Sequence, residues 1–188
     1  NYLAGTMTVL QTTDEKGNIS LKYLDALGRT ILAKVQNVAS PSTGHYGWLC
    51  TYYVSDEMNH LPLVITPNAV EALNTTTVNW NLSNHADINT GLCYGYYYDN
   101  RGRVVMKRIP GKSKQYIAYD LFDRIVMTQD SNLRRTNQWA FVLYDGQSRP
   151  NKTGLITTSV IKDSILTQAA RSTSYPSLTG TCTILTET

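Results

Sequence analysis

The sequence predicts an all-β, mainly antiparallel fold, and three observations carry that expectation. Short runs rich in Tyr, Val, Ile and Thr alternate in polarity along much of the 188 residues. A five-residue turn pattern recurs six times between those runs. Charged residues make up only 16% of the chain, and Thr, Ser, Asn and Tyr supply the polarity instead, with 13 tyrosines against 2 phenylalanines.

The turn pattern is an Asp, two variable residues, a small or turn-tolerant residue, and then a basic or amide residue. It occurs as Asp14–Asn18, Asp25–Arg29, Asp56–His60, Asp99–Arg103, Asp120–Arg124 and Asp145–Arg149. Asp at the first position of a type I turn can accept hydrogen bonds from the amides of the turn itself. The fourth position needs positive φ in a three-residue hairpin loop with a G1 bulge, which glycine tolerates best. Gly17, Gly28 and Gly102 stand there, and Asn59 and Asp123 are the next most tolerant types. Ser148 fits that position worst, so the sixth copy is expected to use a different turn. Tyr98, Tyr119 and Tyr144 directly precede three of the Asp residues. Each is expected to face the basic residue across its own hairpin.

The strands follow from the turns. Ile19–Tyr23 and Arg29–Gln36 flank the second turn, and Tyr46–Val54 and Leu61–Ile65 flank the third. Leu92, Tyr94, Tyr96 and Tyr98 alternate into the Asp99 turn, and Arg103–Ile109 returns from it. Gln115–Tyr119 and Arg124–Gln129 form the next hairpin. Gln138–Tyr144 is apolar on both faces, as a central strand would be. One or two short helices interrupt the pattern. Thr66 is a good N-cap and Pro67 a good first helical residue, so Thr66–Leu73 reads as helix. Ser159–Ala170 spaces its apolar residues at helical intervals, and Asn84–Thr90 reads as a loop. Nothing resembles an interdomain linker, so residues 1–188 are expected to form one unit.

Several functions are excluded or disfavoured. The longest apolar run, Leu61–Ile65, is far below the ~20 residues of a membrane span. The formal charge of +3 is spread along the chain, with Lys107-Arg108 and Arg134-Arg135 its adjacent basic pairs; a nucleic-acid partner would want a basic stripe. Cys50, Cys93 and Cys182 are too few and too scattered for a disulfide framework or a zinc site. His45, His60 and His85 have no partner at ligand spacing, so no metal or cofactor is expected. Asp14-Glu15 and Asp56-Glu57 open turns and do not resemble a glycosidase pair set across a cleft.

The string from Tyr98 to Val104, the string from Tyr119 to Asp130, and Tyr144-Asp145 with Arg149-Pro150 resemble the tyrosine–aspartate (YD) repeats of Rhs-family proteins. Thr51–Asp56 and Leu63–Pro67 resemble the family as it occurs in Bacteroides-type bacteria. Leu24 before Asp25, Ser55 before Asp56 and Ser148 in place of glycine depart from the pattern. The resemblance implies a segment of a long secreted or surface-delivered chain whose repeats form a curved sheet, in several members a hollow shell around a C-terminal toxin. It implies scaffold without catalytic residues, with Asp14, Gly17, Asp25, Gly28, Asp56, Asn59, Asp99, Gly102, Asp120, Asp123 and Asp145 as structural turn residues. The chain is then expected to be excised from a longer polypeptide whose flanking repeats, and a toxin, are its partners. As a partial shell or barrel it would leave bare edges at Met7–Thr12 and Thr181–Thr186 and self-associate through them. The alternative function is a carbohydrate- or surface-binding module, in which exposed Trp48, Trp139, Tyr94, Tyr96 and Tyr97 offer a platform to a glycan.

Overall fold

A computed structural model of the chain describes residues 5–76, 80–177 and 182–187. Thr181, at the start of the last expected strand, lies outside the described residues. Among the described residues the fold is all-β and antiparallel, with twelve strands whose order is the order of the chain, β1 to β12, and four short α-helices. No helix among the described residues is long and apolar enough to cross a membrane. The chain divides into two compact units, residues 1–95 with 109–111 and residues 96–108 with 112–188.

The first unit carries β1 (Thr8–Thr13), β2 (Ile19–Leu24), β3 (Thr30–Gln36), β4 (Trp48–Val54), β5 (Leu63–Ile65) and the start of β6 (Cys93–Tyr98). Helix α1 (Pro67–Thr76) begins where Thr66 Oγ1 accepts the Ala69 amide at 3.4 Å and donates to the Leu92 carbonyl at 2.7 Å. Ala69, Val70 and Leu73 fall on one side of that helix and are buried against β4, together with Cys50, Ile65, Ile88 and Cys93. The three cysteines are free thiols, and Cys50 and Cys93 serve as small core residues.

The second unit holds β7 (Val104–Arg108), β8 (Gln115–Tyr119), β9 (Ile125–Gln129), α3 (Ser131–Arg135), β10 (Gln138–Tyr144), β11 (Pro150–Thr157), α4 (Lys162–Ala169) and β12 (Cys182–Glu187). Its own core joins Ala118, Val126, Met127, Trp139, Phe141, Ile156, Ile165 and Ala169. Gly154 lies opposite Phe141 in the β10–β11 ladder. A Cβ built on Gly154 would meet the Phe141 ring at 2.8 Å and collide with the Thr183 carbonyl. Glycine is needed there so that the aromatic ring can lie against bare backbone.

Two local expectations require correction, and one helix was not expected. The segment 84–90 is not a loop: Leu82–Asn84 is a 3₁₀ turn opened by Asn81, whose side chain accepts the Ser83 amide, and α2 (Ala86–Leu92) follows. Burial of Ile88 in the first core outweighs the polar composition of that helix. Helix α3 has no counterpart in the sequence reading, although Asp130 caps the amides of Asn132 and Leu133 and two arginines close the last turn. Helix α4 begins at Lys162 rather than Ser159, leaving Val160 and Ile161 exposed.

Candidate functional site: an array of latched turns and a cleft beside helix α1

All six pentads adopt one geometry. In each, the Asp amide donates to the carbonyl four residues on, and the amide of the fourth residue donates back to the Asp carbonyl. Gly17, Gly28, Asn59, Gly102, Asp123 and Ser148 have φ between 61° and 83°. The sixth turn, expected to differ, is therefore the same as the others. A serine is held in the left-handed region because the surrounding hydrogen bonds outweigh a strain of about 1–2 kcal/mol.

The Asp side chain is the hub. Its Oδ1 accepts the amides of the third and fifth residues, at 2.8–3.0 Å in every copy. Its Oδ2 accepts the fifth side chain: Asn18 Nδ2, His60 Nδ1, or the Nε of Arg29, Arg103, Arg124 or Arg149. Hydrogen bonds to the charged carboxylate lower its pKa. Asn18 does this for Asp14, and the Arg149 backbone and side chain for Asp145. Burial pushes Asp25, Asp56 and Asp99 upward, but the bonds from Arg29, His60 and Arg103 outweigh it and leave all three lowered.

The arginines do more than close their own turns. Arg29 Nη1 donates to the Asp56 carbonyl of the following pentad at 3.2 Å. Arg103 Nη1 reaches the Asp120 carbonyl and Asp123 Oδ1, and Arg101 bonds the Leu121 carbonyl and Asp123 Oδ2. Arg124 Nη1 reaches Ser148 Oγ. Each bond fastens one turn to the next along the same end of its unit. The Arg103 guanidinium also lies 4.8 Å from the centre of the Tyr119 ring, and that of Arg124 lies 4.6 Å from Tyr144. Tyrosine and arginine thus meet between successive hairpins, not within one as expected. The bulge before each Asp is the reason: Tyr119 pairs with Ile125 and Tyr144 with Pro150, so the arginine is opposite its own Asp.

Burial removes one member from the expected aromatic platform. Trp139 is 2% exposed and belongs to the second core, so it cannot meet a ligand. Tyr94 and Tyr96 are half-buried on one face of β6, and the exposed Tyr97 points to the other. Trp48 instead borders a cleft of about 380 Å³ in the first unit, between the segment 37–47 and α1. His45, Tyr46, Asn68, Glu71 and Asn74 also line it. Sequence reasoning missed this grouping because its members come from a loop and a helix that only the tertiary fold brings together. Among the described residues, no group of three or more His, Cys, Asp or Glu side chains is arranged to hold a metal. The Arg134 of the basic pair Arg134-Arg135 is engaged, bonding the Lys114 carbonyl and stacking on Tyr116.

No family model and no curated protein matches the chain. Solved structures do match it. The TcdB2-TccC3-TEV crystal structure superposes over 78% of this chain with a TM-score of 0.55 and 16% identity. A Photorhabdus luminescens Tc holotoxin pore superposes over 80%, with a TM-score of 0.55 and 18% identity. A TcdB2-TccC3-Cdc42 crystal structure superposes over 77%, with a TM-score of 0.54 and 18% identity. This chain spans 6% of the length of each of those chains. The shared property is the fold: the chain is built like a small portion of these Tc toxin components.

Proposed function

We propose that the chain is a non-catalytic scaffold segment of a secreted or surface-delivered Rhs-like YD-repeat protein of the Bacteroides type, one stretch of a larger β-sheet shell. The carrying observation is the latch from turn to turn. A carboxylate hub closes each of the six hairpins, and in three of them the arginine on that hub, Arg29, Arg103 or Arg124, bonds the next turn of its unit, so strands can be added in sequence through one kind of contact. The fold likeness to Tc toxin components supports a role inside a large toxin-associated polypeptide, with flanking repeats and a cargo as partners. On this reading the function of the turn residues is mechanical.

The terminal strands supply the test. β1 is exposed at all six positions, with Val9 and Leu10 each 50% exposed, and Ile184 and Leu185 of β12 are exposed as well. Strands of this kind take a further strand readily. Sedimentation of the chain over a concentration range is compared with a version extended at its C-terminus by the next repeat of its reading frame. Reversible self-association that the extension suppresses, with a rise in unfolding temperature, supports the scaffold segment. A chain that stays monomeric and gains nothing from the added repeat overturns it.

A further inference from the structure

We propose that the cleft between the segment 37–47 and helix α1 is a binding site for a neutral pyranose sugar, a role separate from the scaffold function. Three observations carry the proposal: one wall is preformed, the other presents free polar groups, and the chemistry between them matches a sugar ring.

The preformed wall is a closed loop. Its ends meet where the Asn37 amide donates to the Gly47 carbonyl at 2.9 Å, which makes it a compact Ω-type loop. The Lys34 side chain, 6% exposed, spans the inside and donates to the carbonyls of Thr43 and Gly44 at 3.2 and 2.7 Å. Trp48 Nε1 donates to the Ser42 carbonyl at 2.8 Å, and Gln36 Nε2 holds the carbonyls of Val38 and Ala39. Gly47 sits at φ 83° with Val38 and Pro41 packed against it so closely that no side chain fits. His45 is fixed from behind, bonding the Tyr52 hydroxyl at 2.7 Å and stacking on Trp80 at 5.0 Å. This loop fixes the backbone at Tyr46, whose ring is 75% exposed and lines the cleft, so the main chain of this wall needs no ordering on binding.

The facing wall is the polar side of α1. Asn68, Glu71 and Thr75 recur at helical spacing on the side away from Ala69, Val70 and Leu73, with Asn74 beside them. Among the described residues, the carboxamides of Asn68 and Asn74 and the carboxylate of Glu71 make no hydrogen bond or ion pair with another side chain or carbonyl. The groups available to a ligand are thus two amides that donate and accept, and one carboxylate that accepts from paired hydroxyls. Amphipathic rings offer an apolar face to the C–H side of a pyranose. Glu71 disfavours an anion, and burial and the nearby Lys34 lower the pKa of His45, which disfavours an opposing charge there. The cleft volume of about 380 Å³ is at the small end of ligand sites, ~300–1,000 Å³, as a single sugar unit requires.

Saturation-transfer NMR on the chain with a panel of methyl pyranosides and N-acetylglucosamine tests the site, with cyclohexylamine as a cationic ring of similar size. At least one pyranoside is expected to bind saturably. Tyr46→Ala and Asn74→Ala should each weaken it about tenfold or more with unchanged thermal unfolding, because both side chains are exposed. Tyr97→Ala should leave it unaltered. Absence of saturable sugar binding overturns the proposal, as does sugar binding that Tyr97→Ala abolishes and Tyr46→Ala does not. Binding of cyclohexylamine alone, lost in Glu71→Gln, would make the cleft a cation site and also overturn it.

Discussion

Arg124 faces Tyr144 across the β9–β10 ladder, although the two belong to successive hairpins. Carrying the pairing of Ala140 with Thr128 and Phe141 with Met127 outward by register puts Tyr144 opposite Arg124. The guanidinium carbon is 4.6 Å from the ring centre while the same guanidinium grips Asp120 through Nε at 2.7 Å and Nη2 at 2.6 Å. One side chain therefore joins a turn's own carboxylate to the next hairpin's aromatic ring, as Arg103 also does between Asp99 and Tyr119.

A double-mutant cycle measures that join. Arg124→Ala, Tyr144→Leu and the double variant, compared by urea unfolding, should give a favourable coupling of about 1 kcal/mol. Tyr144→Phe should retain most of the coupling while losing the hydroxyl bond to the Ile125 carbonyl. Additive single effects would show that the stacked pair contributes nothing.

The six hubs are not equal, because burial differs. Asp120 is fully buried beneath Arg124, whereas the side chain of Asp145 is 25% exposed and that of its partner Arg149 is 71% exposed. Removing one partner of a buried pair leaves an uncompensated charge, so Asp120→Ala should cost about 3–5 kcal/mol. Asp145→Ala should cost clearly less, since water replaces the lost bonds. Equal shifts in the urea midpoint for the two variants would contradict the buried-hub account.

Acid should loosen the array. Asp14, Asp25, Asp56, Asp99 and Asp145 all have folded pKa values below the ordinary carboxylate value. A carboxylate whose pKa falls on folding contributes stability that is fully present above the unfolded value, ~3.9, and lost as pH falls through the folded one. Stability should thus fall steadily below about pH 4. Urea midpoints collected from pH 7 down to pH 2 check the slope. Loss of stability confined to the neutral range would point to other groups.

How much of this was legible in the sequence depends on the range of each interaction. The turns were readable because Asp, the left-handed position and the fifth residue lie within one pentad and bond one another. The Arg–Tyr contacts were misassigned, because the bulge beside Tyr119 or Tyr144 shifts the register by one residue, and only the paired strand shows it. Trp139 reads as a ligand-facing aromatic by type alone, yet Phe141 and Ile156 enclose it in the core. Helix α2 was hidden for a similar reason: Ile88 finds its burial among residues of α1, β4 and β5, which lie well before it in sequence. The cleft residues gave no signal, since Tyr46 and Glu71 are joined by no local spacing rule.

Two glycine substitutions separate backbone strain from steric fit. At Gly28, φ is +76° and a Cβ would meet nothing within 4 Å, so Gly28→Ala isolates the cost of the left-handed conformation, about 1–2 kcal/mol. Gly154 has no positive φ, but its Cβ would collide with the Thr183 carbonyl and the Phe141 ring. Gly154→Ala should therefore cost about 1–3 kcal/mol through overpacking alone. The rescue patterns differ accordingly. Shrinking the facing ring by Phe141→Leu in the Gly154→Ala background should recover part of the loss, so the double variant falls short of additivity. The same Phe141→Leu change should be additive with Gly28→Ala, because the two residues belong to different compact units. Additivity in both backgrounds, read from urea unfolding, would mean that the ring does not rest on the Gly154 backbone.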